Sequence, residues 1–219
     1  MDFQLIFQTW MNALTRPGEE FFAAEREKSS ATLSTALLWV IVASVIAALL
    51  GVLQSSIFSS EMGGFDQVLE MLPSDIQDEI ATSAGDGAPG APAFSLSYIV
   101  FGPILFLIGT GIYHVLASLL GGQGGQYGRF AYLYSTFSVP LMIASAVLGF
   151  IPMLGGCVSV ILGIYQIVLA YHATKVEYSL TQGRAIIVVV APILFGILLA
   201  ACLAIVAFGA IISLLGNFT

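Results

Sequence analysis

The sequence predicts an all-α, polytopic membrane fold, and three observations predict it. The first is composition: of 219 residues, 58% are hydrophobic and only 9% charged, with a mean hydropathy of +0.97. A soluble domain carries about 25% charged residues, and a single core of this size has no room for so much apolar surface. The second is the set of five apolar runs at 32–58, 95–120, 130–150, 157–171 and 185–215, read as membrane spans against a hydrocarbon core of about 30 Å. The third is charge placement. All six Lys and Arg residues fall within 1–31, 121–129 and 172–184, and the loops assigned to the other side have none. By the positive-inside rule this six-to-zero split puts the N-terminus in the cytoplasm and the C-terminus outside.

The elements follow in order. Residues 1–31 form a cytoplasmic amphipathic segment. Within it, Phe3, Ile6, Phe7, Trp10 and Leu14 share one side at helical spacing, over a run too short to cross a bilayer. An interfacial helix with Trp10 at the boundary is expected, and packing against the bundle is compatible with it. Pro17 and Gly18 break that helix, and Glu19 and Glu20 suit the first turn of another. No secretory signal pattern precedes the first span, so that span is expected to act as its own insertion signal.

Span one, 32–58, is uncharged, with Ala43, Ala47 and Gly51 at intervals that let membrane helices approach closely. Residues 59–94 hold seven acids and no Lys or Arg, ending in the Gly/Pro-rich linker GDGAPGAPA. They read as an acidic extracytoplasmic loop with a solvated face, and no calcium-loop spacing is present. Spans two (95–120) and three (130–150) flank the turn GGQGGQYGR, which lacks the Lys-Ser or Lys-Thr of a phosphate loop and serves to reverse the backbone. Pro140 predicts a kink in span three. Span four, 157–171, is the shortest and is expected to borrow residues from the IPMLGG turn before it, and HATKVEYSLTQGR surfaces after it. Span five, 185–215, exceeds what the bilayer needs, and carries Pro192 and the small-residue face Gly196, Ala200 and Ala204. Tyr113, His114, Gly128, Arg129 and Pro140 recur in order as Tyr171, His172, Gly183, Arg184 and Pro192. Duplication of a two-span unit and chance both account for so loose an echo.

TRPGEEFF before span one, YHVLASLLGGQGGQYGRFAYLYSTFSVP across spans two and three, and YHATKVEYSLTQGRAIIVVV into span five together resemble the YIP family of Ypt/Rab-interacting membrane proteins, in its prokaryotic branch. The resemblance implies a five-helix bundle in the cytoplasmic (inner) membrane with a cytoplasmic N-terminus. Eukaryotic members are linked to Rab GTPases through a longer N-terminal region. Here that region is about thirty residues with no counterpart of its motif, so a GTPase partner is not expected. The family supplies no catalytic residues.

The chemistry available to the chain is narrow. A net charge of −7 provides no basic stripe for nucleic acid. Cys157 and Cys202 lie in apolar runs and read as small buried hydrophobes, neither a disulfide framework nor a metal site. No acid, Lys or Arg falls inside a predicted span, which lowers a proton-relay reading. HExxH, GxSxG and P-loop motifs are absent, so no enzyme activity is expected. His114 and His172 are the residues from which a haem site would be built; the stronger reading puts each Tyr-His pair at headgroup level, and no cofactor or metal is expected. Arg129 and Arg184, at the starts of spans three and five, together with Trp10, are the expected lipid or partner contacts.

Two functions remain. One is a non-enzymatic membrane scaffold or accessory subunit that binds other membrane proteins and lipid, with a homo-oligomer compatible with the small-residue faces. The other is transport of a small solute or lipid, gated by the proline-bearing third and fifth spans and lined by Ser135, Thr136, Ser138 and Gln166.

Overall fold

A computed structural model describes residues 3–58 and 91–216, so most of the acidic loop lies outside the described residues. The described chain is helical: α1 (Phe3–Thr15), α2 (Glu19–Arg26), α3 (Leu33–Phe58), α4 (Ala91–Leu119), α5 (Tyr127–Leu148), α6 (Pro152–Tyr178) and α7 (Gln182–Gly216). Five of these, α3 to α7, are long and apolar enough to cross a membrane. The fold is an all-α polytopic bundle preceded by two short helices.

Helix α5 lies at its centre. It packs on α3, α4 and α6, and both short helices touch it. Phe130, Ala131, Leu133 and Phe137 are fully buried along it. Two rings from elsewhere lock onto this row: Phe22 of α2 meets Phe137 at 6.0 Å, and Trp39 of α3 meets Tyr132 at 5.3 Å between centroids. Helices α3 and α4 approach where side chains are smallest. A Cβ on Gly102 would fall 2.5 Å from Ser44 Oγ, so a larger residue there would force the serine hydroxyl to turn away. Gln54 closes the far end by donating to the Gly149 carbonyl.

Helix α1 packs on α5 and buries Thr9 and Ala13, with Ile6, Trp10 and Leu14 against the core and Trp10 edge-on to Trp39. Phe7 departs from the expected face and is exposed with Leu5 and Met11. The exposed side is polar, with Gln4, Gln8, Asn12 and Thr15 along it, Phe7 and Met11 on one flank and Leu5 on the other, an amphipathic arrangement suited to an interfacial position.

Three sequence expectations are corrected. Span four is not short: α6 has 27 residues and reaches about 40 Å, because PMLGG joins it at the start and HATKVEY continues it at the end. The connection to α7 is only Ser179 to Thr181, with Ser179 in the left-handed conformation that ends a helix (φ 50°). Lys175 and Glu177 consequently lie on a membrane helix, so the spans are not free of charge. Cys157 and Cys202 are exposed on the outside of the bundle. An apolar residue in a membrane protein gains nothing from facing inward, since lipid solvates it as well as protein does.

Inside and outside can be separated by mutation. Phe137→Ala is expected to cost about 3 to 5 kcal/mol, as other buried Phe truncations do, while Leu198→Ala, on an exposed face, leaves stability unchanged. Thermal unfolding in detergent, followed by intrinsic fluorescence, gives both values.

Candidate functional site

The polar side chains of the bundle gather at one end, where α1, α2, the α4–α5 turn and the C-terminus of α6 meet. The turn Leu120–Gln126 folds back over that terminus. Gly121 and Gly124 take φ values of +84° and +72°, a region costly for other residues. Gly125 lies so close to Tyr178 that a Cβ would stand 2.1 Å from its ring. The Gln123 N–H donates to the Tyr178 carbonyl at 3.0 Å, tying turn to helix end.

Glu177 holds this arrangement. Its side chain is completely buried, and its Oε1 accepts from Arg129 Nε at 3.0 Å and from the Gln126 backbone N–H at 2.8 Å. Arg129 also donates to the Gly124 carbonyl at 2.9 Å. The carboxylate thus fixes the first turn of α5 and the glycine turn before it. Beside it, the Tyr178 hydroxyl and His114 Nδ1 share a 2.6 Å hydrogen bond, which ties α6 to α4.

A second buried carboxylate, Glu25, fixes the short helices. The Tyr132 hydroxyl donates to its Oε2 at 3.0 Å, and Lys28 Nζ donates to its Oε1. Arg26 Nη1 reaches the Val176 carbonyl at 2.9 Å, and Lys175 pairs with Glu19. The Tyr165 hydroxyl donates to the Leu14 carbonyl at 2.5 Å, so α6 holds the ends of both α1 and α2. Between α1, α2, α3 and α5 a cleft of about 460 Å³ remains, with Glu25, Lys28, Trp39 and Tyr132 in its lining.

The residues singled out from sequence fall in different places. Arg129 is largely occupied by Glu177, and its side chain keeps 27% exposure. Arg184 is exposed, with its guanidinium beside Gly121. Trp10 is half-buried on Trp39. The two histidines have separate surroundings. His114 lies against Tyr127 and Tyr178, whereas His172 stacks on Tyr171 and borders an open cleft with Arg16 and Glu19. No group of three metal-ligating side chains forms among the described residues. Sequence reasoning passed over Glu25 and Glu177. A signal existed for the second: Glu177 is the only acid after Asp86, as Arg129 is the only charge between Asp86 and Lys175.

Deeper in the bundle, Gln166 Nε2 donates to the Tyr134 hydroxyl at 3.0 Å. Both residues line a cleft of about 340 Å³ with Tyr98, Ser138, Ser145 and Ser159. Ser135 and Thr136 are fully buried and bond back to the Tyr132 and Leu133 carbonyls of their own helix. Of the four side chains expected to line a polar path, the structure places Ser138 and Gln166 at this cleft.

These features define an α-helical polytopic membrane protein whose two buried carboxylates, Glu25 and Glu177, join its own elements at one end. The Yip1 domain matches residues 11–205, nearly the whole chain, and the protein belongs to that family. No curated protein and no solved structure matches it.

Removing one partner of a buried ion pair leaves the other charge uncompensated, at about 3 to 5 kcal/mol. Glu177→Ala is expected to show that loss in detergent unfolding and to expose the 121–126 turn to protease. Adding Arg129→Ala to it costs little more, a non-additivity that a double-mutant cycle measures. Gly125→Ala should destabilise comparably through its clash with Tyr178, whereas Gly183→Ala, with open space around it, is tolerated.

Proposed function

We infer that the protein is a non-enzymatic scaffold or accessory subunit that binds other membrane proteins through the lipid-facing sides of its helices. One observation carries this reading. Beyond Ile193, α7 is exposed on every side as far as Val206, including the small-residue face of Gly196, Ala200 and Ala204. Small residues favour helix association because backbones can approach, and among the described residues none is packed against them. Membership of the Yip1 domain family supports a membrane role without catalysis. The six basic residues gathered at one end support a cytoplasmic N-terminus and an extracytoplasmic C-terminus, by the positive-inside rule.

The cleft at Tyr134 and Gln166 favours a second reading, passage of a small polar solute or of a lipid. It has the polar groups such a path needs, set in an otherwise apolar region.

The two readings separate in one experiment. Protein extracted from native membranes in mild detergent should bring down a stoichiometric membrane partner, and Gly196→Leu with Ala200→Leu should abolish that recovery while unfolding stays unchanged. Recovery of the chain alone, or with lipid only, sinks the scaffold reading and directs attention to solute flux in vesicles. For orientation, a phosphatase that is active only outside the cytoplasm should be active when fused after Thr219 and inactive when fused before Met1.

A further inference from the structure

The cleft beside Glu25 sits where α1 and α2 meet the start of the first membrane helix. Glu25, Lys28 and Ser30 precede Leu33, the first residue of α3, and Trp39 lies less than two turns into it. Leu5, Phe7 and Met11 are exposed on α1, with Leu5 also in the lining of the cleft. Apolar side chains exposed on both flanks of a short, polar-faced helix place it at the depth of lipid headgroups. The opening thus faces the level at which headgroups and the first methylenes of acyl chains meet.

Its lining is unusual for that level. Gln8, Thr9, Asn12 and Thr35 add uncharged polar groups to one acid and one base. The acid is nearly enclosed, with 6% of its side chain exposed, and the base is half-exposed at 48%. Tyr132 and Lys28 each give Glu25 one hydrogen bond, on different oxygens, and a carboxylate oxygen accepts two. Lys28 has three donors and gives one of them to Glu25. The cleft therefore offers acceptor capacity at its enclosed end and donor capacity at its mouth, with no net charge.

An anionic headgroup alone would meet Lys28 but be repelled by Glu25. A ligand with an ammonium and a phosphate two carbons apart satisfies both. We propose that this cleft binds the headgroup of phosphatidylethanolamine, with the ammonium donating to Glu25, Lys28 donating to the phosphate, and the acyl chains leaving past Leu5. Choline carries the same charge but no N–H, so it forfeits the hydrogen bond to the carboxylate. Glycerol headgroups lack the cation altogether.

The chain has two tryptophans, and both report on this place: Trp39 in the lining and Trp10 at 5.8 Å from it. Purified full-length protein in mild detergent would be titrated with dihexanoyl phosphatidylethanolamine, phosphatidylcholine and phosphatidylglycerol, and with free phosphoethanolamine, while tryptophan emission is followed. The ethanolamine lipid should give a saturable change at about tenfold lower concentration than the other two lipids, the size expected for one charge-assisted hydrogen bond. Glu25→Gln should erase that preference, and Lys28→Gln should weaken all three lipids together, because they share the phosphate. Should either variant unfold, the ranking on wild-type protein decides alone. Equal responses to the three lipids, no saturable response, unchanged selectivity in folded Glu25→Gln, or unchanged affinity in folded Lys28→Gln would overturn the proposal. Phosphoethanolamine binding as tightly as the lipid would overturn the lipid assignment in favour of a soluble ligand. Co-purification of membrane partners is read separately, so either result can stand without the other.

Discussion

A carboxylate cannot be left alone in an apolar bundle, and the basic end of this protein is built around that constraint. Burying an unpaired charge costs several kcal/mol even after relaxation. Glu177, with no exposure, is placed among four elements that each answer it or its neighbour. Arg129 brings the first turn of α5, Gln126 the end of the glycine turn, Tyr178 the contact to His114 on α4, and Lys175 and Val176 the contacts to α2. The left-handed residue Ser179 stops α6 directly beyond this cluster, which lets α7 start three residues later. In a medium where lipid competes with protein for every apolar side chain, such polar joints supply directional order that hydrophobic burial does not.

The rest of the bundle shows the same economy. The large buried rings are concentrated on α5 and its partners near the charged end, where Phe22, Phe130, Phe137, Tyr132 and Tyr178 interlock. Farther along, packing thins, and α4 and α7 turn most of their surface outward. One end is therefore a cross-braced cap, and the opposite side of the molecule is a set of apolar helices available to lipid or protein. Beyond the positive φ of Gly121 and Gly124, glycine has two uses within this plan. At Gly102 it lets two helices touch, and at Gly125 it lets a turn lie flat on an aromatic ring.

Much of the fold was legible because membrane helices announce themselves by length and lack of charge. The five apolar runs and the amphipathic start of the chain needed no tertiary information. What was not legible depended on partners far apart in sequence. Glu177 read as a loop residue because charge was taken to mark the end of a span; it is buried only because Arg129, some fifty positions earlier, folds over it. Glu25 is one of several acids in the short second helix, and nothing local reveals that Tyr132 will meet it. The cysteines were misplaced by a rule borrowed from soluble proteins, in which apolar means inside. The isolated cation and the isolated acid could have been paired beforehand, since each was the only charge of its sign across a long apolar region.

Where the charges go also bears on how such a molecule can be recognised. Of the six basic residues, Arg26, Lys28, Arg129 and Lys175 are engaged with groups of the same chain. That leaves Arg16 and Arg184 as the cations without an ion pair among the described residues, too few to make a strongly charged docking face. A partner that approaches from the water at this end meets mostly ion pairs already made within the chain. One that approaches within the bilayer meets α7, apolar, lined with small residues and uncovered from Leu194 to Val206. Selectivity in the membrane plane then rests on shape, and on the few polar openings between helices, among them the Glu25 cleft, where an enclosed acid lies beside a half-exposed base.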